Sequence, residues 1–137
     1  MQATMQLLGV IKWPLFFVLV VSALPADLWF GKSEQTGVMA FNVLRAALAI
    51  WAGWLVVAKE NGGLWRSALG GAVLLFASHV AWKGGYFLLS GDFTAFGGVL
   101  ISFVLVVWLA LVLGALGGAA ARTHGKKALN KQAKLTP

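Results

Sequence analysis

The sequence AVLLFASHVAWKGGYF, residues 72–87, places two basic side chains and a tyrosine in an otherwise apolar run. At 3.6 residues per helical turn, His79, Lys83 and Tyr86 fall on one stripe of a predicted helix. An ionisable group near the centre of a bilayer costs at least ~2.5 kcal/mol, so such groups usually face the bundle interior, a wet cavity or a partner. The stretch therefore predicts a membrane-spanning helix with one inward-facing polar stripe.

The composition of the whole chain indicates the same class of protein. Of its 137 residues, 60% are hydrophobic and only 11% are charged, whereas soluble domains are about 45–50% apolar and about 25% charged. A soluble core of this length could not hide so much apolar surface. The absence of cysteine excludes disulfides, thiolate metal sites and cysteine nucleophiles. We expect an all-α integral membrane protein of one domain.

Four apolar segments predict four transmembrane helices in an antiparallel bundle. They lie at about residues 7–24, 37–58, 65–89 and 93–121, and together they form a membrane domain over residues 1–121. The first segment also has the outline of a cleavable signal peptide, with Val21-Ser22-Ala23 as a possible cleavage site. We expect this segment to be retained as a helix.

The distribution of charge predicts the orientation of the bundle. Five of the 11 basic residues lie in the tail, residues 122–137, which contains no acid and is either helical or disordered. Lys59 and Arg66 lie on the same side as this tail. The opposite side combines Lys32 with the acids Asp27, Glu34 and Asp92. By the positive-inside rule, we expect both termini and the basic tail in the cytoplasm, at the inner (plasma) membrane of a bacterium.

Small residues predict where helices pack. The fourth segment carries Ala110, Gly114 and Gly118 at spacings of four. The second segment has an inward face made of Asn42, Arg45, Ala49 and Gly53. Because small side chains let helix backbones approach closely, both stripes are expected to contact other helices.

Arg45, His79 and Lys83 form the candidate binding site, with Asn42 and Tyr86 beside them. Counting along the helices places the three basic residues at overlapping depths in the outer half of the bilayer. The membrane segments contain no Asp or Glu, so loop acids, water, lipid phosphate, a bound anion or another subunit must neutralise the cluster.

Simpler interpretations of each of these residues remain open. The Lys83 and Arg45 side chains can snorkel to the headgroups. A neutral His79 can make one interhelical hydrogen bond, with Ser78 or Asn42 in support. Tyr86 can be an interfacial aromatic residue.

Catalysis is not expected. The glycine pairs lack the strand–turn–helix context of a nucleotide site, and no histidine and carboxylate have metal-ligand spacing. We therefore expect no catalytic residue, metal or cofactor. A haem held by two histidines would need a partner chain, because His124 lies in the tail.

These observations predict an accessory or anchoring subunit of a membrane assembly. Its partners would be the lipid bilayer and either other membrane subunits or further copies of itself. The basic tail is explained by membrane orientation, so nucleic acid is not an expected partner. The alternatives are an oligomeric small transporter or channel for an anion or lipid headgroup, and a holin-like protein. We prefer the subunit because a transport path needs polar residues along its length, whereas the cytoplasmic halves of the segments are nearly all apolar.

Overall fold

The computed structural model describes residues 2–23, 34–91 and 94–135, and these residues are almost entirely helical. The helices are α1 (Gln2–Val10), α2 (Lys12–Ala23), α3 (Glu34–Glu60), α4 (Leu64–Ser90) and α5 (Thr94–Leu135). No strand occurs in the described ranges. The predicted all-α class is confirmed.

Three of the helices are long and apolar enough to cross a membrane. The candidate spans are Met39–Glu60, Leu64–Gly84 and Val106–Leu135. Large apolar side chains such as Met39, Val43 and Trp108 lie on the outside of the helices, where lipid would cover them. The structure is thus consistent with a membrane protein, as the composition predicts.

The first apolar segment is bent rather than straight. The sequence predicts one helix over residues 7–24, but α1 and α2 meet at Ile11 with a bend of 71°. Pro14 explains the break, because proline has no N–H and its ring crowds the carbonyl four residues earlier, that of Val10. The two helices amount to a fourth span only if they are counted together.

The link between α3 and α4 is a tight helical hairpin. Helix α3 ends where Asn61 adopts a left-handed conformation with a φ of 49°, which asparagine tolerates better than most residues. The N–H of Asn61 donates to the Val57 carbonyl at 3.1 Å and closes the helix end. Arg66 and Glu60 form an ion pair of 3.8 Å between partly buried side chains across the link, and a single pair at this distance near the surface adds little stability.

The α3–α4 hairpin is the centre of the fold. Helix α5 packs along both of its helices, and α2 contacts both from another side. The shared core is apolar and contains Ile11, Val18, Ala49, Ala52, Val56, Leu74, Leu75 and Ala110.

Helix α5 is much longer than a bilayer requires. Its 42 residues extend ~63 Å at 1.5 Å per residue, about twice the ~30 Å hydrocarbon thickness. Residues 122–135 are all exposed. The tail, which the sequence alone did not assign, therefore continues α5 as a helix beyond the bundle.

Candidate functional site

Ser67 joins three helices at one point. Its buried hydroxyl on α4 shares its single proton between the Gly53 carbonyl of α3, at 3.0 Å, and the Gly114 carbonyl of α5. Sequence reasoning missed Ser67, although a lone serine in an apolar helix is a common source of interhelical hydrogen bonds.

Glycines allow the backbones around Ser67 to touch. A Cβ added to Gly114 would lie 2.5 Å from the Ser67 carbonyl oxygen and 3.0 Å from the Ala68 Cα. A Cβ on Gly71 would lie 2.8 Å from the Ala110 carbonyl oxygen. No methyl group fits at either position. Gly53 faces the Gly114 backbone even more closely.

The remaining residues predicted to pack lie in or beside this same contact. Ala49 is fully buried and Ala110 nearly so, while Gly118 faces the Ser67 side chain and Val57. Gly117, which was not predicted, faces the backbone of Ile50. We call the contact formed by Gly53, Ser67, Gly71, Gly114, Gly117 and Gly118 the glycine–serine contact.

Arg45, His79 and Lys83 lie near one another in the other half of the bundle. Arg45 and His79 are buried, with 7% and 5% of their surface exposed, and Lys83 is half-buried. Arg45 and His79 are each about 11 residues from the ends of α3 and α4 that share one side, or ~16 Å along the axis. The imidazole is within electrostatic range of both cations.

Two aromatic rings connect these basic groups. The Arg45 guanidinium lies 5.2 Å from the centre of the Phe41 ring, and Lys83 Nζ lies 4.9 Å from the centre of the Trp82 ring. The two rings are 6.0 Å apart, and the His79 ring meets Trp82 edge-on at 6.3 Å. We call these five residues the cation–aromatic cluster. The sequence pattern of tryptophans at segment ends did not reveal this role of Trp82.

The hydrogen bonding of Arg45 is incomplete within the part of the chain that the structure describes. Its Nη1 donates to Asn42 Oδ1 at 3.5 Å, while the buried Nε and Nη2 have no acceptor there. The Phe41 contact contributes about 0.5–2 kcal/mol, against a cost of at least ~2.5 kcal/mol for a charge at the bilayer centre. The observed contacts therefore leave part of that cost uncompensated.

A pair of serines lies next to His79. Ser22 Oγ on α2 and Ser78 Oγ on α4 are 2.8 Å apart and buried, and either hydroxyl can donate. The Ser78 hydroxyl thus fixes α2 against α4. This contact gives the polar half of the bundle a link to the N-terminal helices.

Several predicted participants are outside the described part. They are the side chains of Tyr86 and Glu34 and the whole residues Asp27 and Asp92. Among the residues that the structure describes, no group of three His, Asp or Glu could hold a metal ion.

Comparison with known proteins adds no assignment. No protein-family model, no curated protein and no solved structure matches this chain.

Proposed function

We propose that this chain is an accessory or anchoring subunit of an assembly in a bacterial inner membrane, and that Arg45 binds an acidic side chain of another subunit. The observation that supports this proposal is a buried guanidinium with two nitrogens that lack an acceptor among the described residues. A carboxylate would satisfy both nitrogens and neutralise the charge.

The two nitrogens suit a carboxylate in their geometry. Nε and Nη2 lie on the same edge of the planar guanidinium, and two parallel N–H···O bonds from one edge are the preferred way in which arginine holds a carboxylate. The third nitrogen, Nη1, is only weakly held, because its 3.5 Å bond to Asn42 is long for an N–H···O contact. Asn42 lies one turn from Arg45 on α3 and is exposed, and we propose that the Arg45 side chain rotates toward it to bring its open edge to the surface of α3.

The depth of Arg45 favours a protein partner over a lipid. Helix α3 has 27 residues, or ~40 Å, and exceeds the ~30 Å hydrocarbon core by only a few ångströms at each end. Arg45 thus lies roughly 10 Å below the hydrocarbon surface. A carboxylate on a partner helix can occupy that depth, whereas a phospholipid phosphate lies at the headgroup level.

A transport path through one copy has less support. The buried polar residues in the described part are Ser22, Arg45, Ser67, Ser78 and His79. In the half of the bundle away from the cation–aromatic cluster, the Ser67 hydroxyl donates to backbone carbonyls within the glycine–serine contact. No continuous row of polar groups lines that half, so the transporter and channel alternative would require self-association.

A four-span topology with both termini in the cytoplasm is part of the proposal. In its support, α2 runs beside α4, with Ile11 near Gly70 and Ser22 at Ser78. The chain has no cysteine, so single cysteines can be introduced without background. Cysteines replacing Gln2 and Thr123 should resist an impermeant thiol reagent in intact cells, and one replacing Ser33 should react. Labelling of Gln2→Cys from outside would instead make α1–α2 a re-entrant pair.

The partner is tested by native mass spectrometry of the tagged full-length chain, extracted from its own membrane in mild detergent. The unsubstituted chain should retain a second subunit with an Asp or Glu in a membrane segment. Arg45→Gln should lose that subunit, since removing one member of a buried charge pair weakens binding by about 30-fold or more. Lys131→Gln, an equal charge loss at an exposed position outside the bundle, should retain it.

Two results would count against the proposal. One is that the unsubstituted chain and Arg45→Gln are both monomeric, or both bind only further copies of the same chain. The other is a loss of stability in the isolated chain when Asp27, Glu34 and Asp92 are replaced together by their amides, because this chain's own acids would then be neutralising Arg45.

A further inference from the structure

An open groove lies where α3 ends and α5 continues alone. Its volume is about 630 Å³. The end of α3 contributes Trp54 and Val57, and the projecting part of α5 contributes Arg122, Lys126 and Leu129. This groove is separate from the cation–aromatic cluster, which lies toward the opposite end of α3.

The groove has one apolar wall and one basic wall. Trp54 and Val57 form the apolar side. Arg122 and Lys126 are four residues apart and therefore share a face of α5. No acidic side chain is among the described residues that line the groove. Such a surface is complementary to an amphiphile that carries negative charge.

The position of the groove is the boundary between lipid and water. Ala121 is the last buried residue of α5, and every described residue after it is exposed. Trp54 lies within the last two turns of α3, where an indole is typical of a membrane interface. The basic wall is thus at the level of the headgroups.

The projecting part of α5 also repels itself. Arg122 with Lys126, and Lys127 with Lys131, are like-charge pairs at a spacing of four, and each destabilises a helix by about 0.2–0.5 kcal/mol. Residues 122–135 carry five basic residues and no acid. A bound anion on the Arg122–Lys126 face removes part of this repulsion.

We propose that this groove binds the headgroup of an anionic phospholipid of the cytoplasmic leaflet. Arg122 and Lys126 contact the lipid phosphate, and Trp54 and Val57 contact the glycerol backbone and the start of an acyl chain. Basic pockets of this kind at the cytoplasmic ends of transmembrane helices recognise anionic headgroups. The choice of leaflet rests on the proposed cytoplasmic position of the C-terminal helix, and the site does not depend on the proposed role of Arg45.

Gly125 offers a variant that fills the groove without disturbing the fold. It lies in the groove lining, and a Cβ added to it meets no atom within 4 Å. Gly125→Leu therefore occupies space meant for the lipid while leaving every charge in place. The substitution also favours the helix, because leucine is a better helix former than glycine.

The experiment is a titration of the full-length chain in mild detergent, with bound lipid counted by native mass spectrometry. The probes are phosphatidylglycerol and phosphatidylcholine with identical acyl chains. The variants are Gly125→Leu, Arg122→Gln with Lys126→Gln, and a control pair, Lys131→Gln with Lys134→Gln, that loses the same charge outside the groove. Circular dichroism of each variant verifies its helix content.

Phosphatidylglycerol should bind the unsubstituted chain at least about tenfold more tightly than phosphatidylcholine. Both groove variants should lose this preference, and the control pair should keep it within about twofold. Equal binding of the two lipids overturns the proposal. An equal loss of the preference in the control pair also overturns it, because the lipid would then be attracted by the overall positive charge of the helix and not by the groove. Displacement of the lipid by millimolar inorganic phosphate, or equally tight binding of an oligonucleotide at this groove, would also contradict a lipid site.

Discussion

The glycine–serine contact and the cation–aromatic cluster lie in the two halves of the α3–α4 hairpin, the former together with α5. They differ in how completely their polar groups are paired. Around Ser67, backbones approach so closely that no methyl group fits at Gly71 or Gly114, and the hydroxyl donates to carbonyls of two other helices. Around Arg45, a charge rests on an aromatic ring with two nitrogens unpaired among the described residues.

The difference indicates which half stabilises the fold. Close packing and satisfied hydrogen bonds hold membrane helices together, and the glycine–serine contact has both. A buried cation costs stability unless it is fully paired. The cation–aromatic cluster therefore contributes little to folding, which is consistent with the proposed role in binding.

Gly114→Leu should have the largest effect on stability. Its Cβ would lie 2.5 Å from the Ser67 carbonyl oxygen, so α4 and α5 must separate, at a cost of about 3 kcal/mol, the upper end of the typical range for overpacking. Thermal or denaturant unfolding of the chain in mild detergent measures this loss of stability. The same substitution at Gly125, where the added Cβ meets nothing within 4 Å, should leave stability unchanged. Similar losses in both variants would show that close approach at Gly114 is not the cause.

Ser67→Ala should have a moderate effect. It removes the hydroxyl that connects α4 to Gly53 and Gly114, and an interhelical hydrogen bond of this type contributes about 0.6–1.7 kcal/mol. We expect a loss of ~1 kcal/mol in the free energy of unfolding. Thr123→Ala is the control, because the Thr123 hydroxyl donates only within its own exposed helix turn, to Ala120. A Ser67→Ala variant as stable as that control would show that the Ser67 hydroxyl does not stabilise the fold.

Arg45 and Lys83 should show a small but measurable coupling. Each cation raises the free-energy cost of burying the other. Removing either one relieves this repulsion, so removing the second brings no further relief. In a double-mutant cycle with Arg45→Gln and Lys83→Gln, the interaction term should exceed ~0.5 kcal/mol. Arg45→Gln combined with the distant Lys131→Gln should be additive. Additivity in both cycles would mean that the two cations act independently.

The helical class could be predicted from the sequence because composition and segment length determine it. The bend at Ile11 could also have been predicted, since Pro14 lies well inside the first apolar segment. The projecting helix could not, because residues 122–135 contain both good helix formers and several like-charge pairs. Local propensity and repulsion oppose each other there, and the sequence alone does not show which one dominates.

The cationic residues could be selected from the sequence because charge is rare in apolar segments. Their surroundings could not be, since the Phe41 and Trp82 rings are brought together by the relative rotation of α3 and α4. Ser67 was missed for a related reason. One hydroxyl in an apolar helix becomes informative only when the facing carbonyls of Gly53 and Gly114 are known.

Arg45 is proposed to serve binding and not folding, and the stability of Arg45→Met distinguishes these two roles. Methionine fills similar space without the charge, and replacing a buried ion by an apolar group is often neutral or stabilising. The measurement is the free energy of unfolding of the isolated chain in mild detergent. We predict that Arg45→Met is as stable as the unsubstituted chain or more stable. A loss of ~1 kcal/mol or more, comparable to the loss expected for Ser67→Ala, would contradict the claim and make Arg45 part of the structural core.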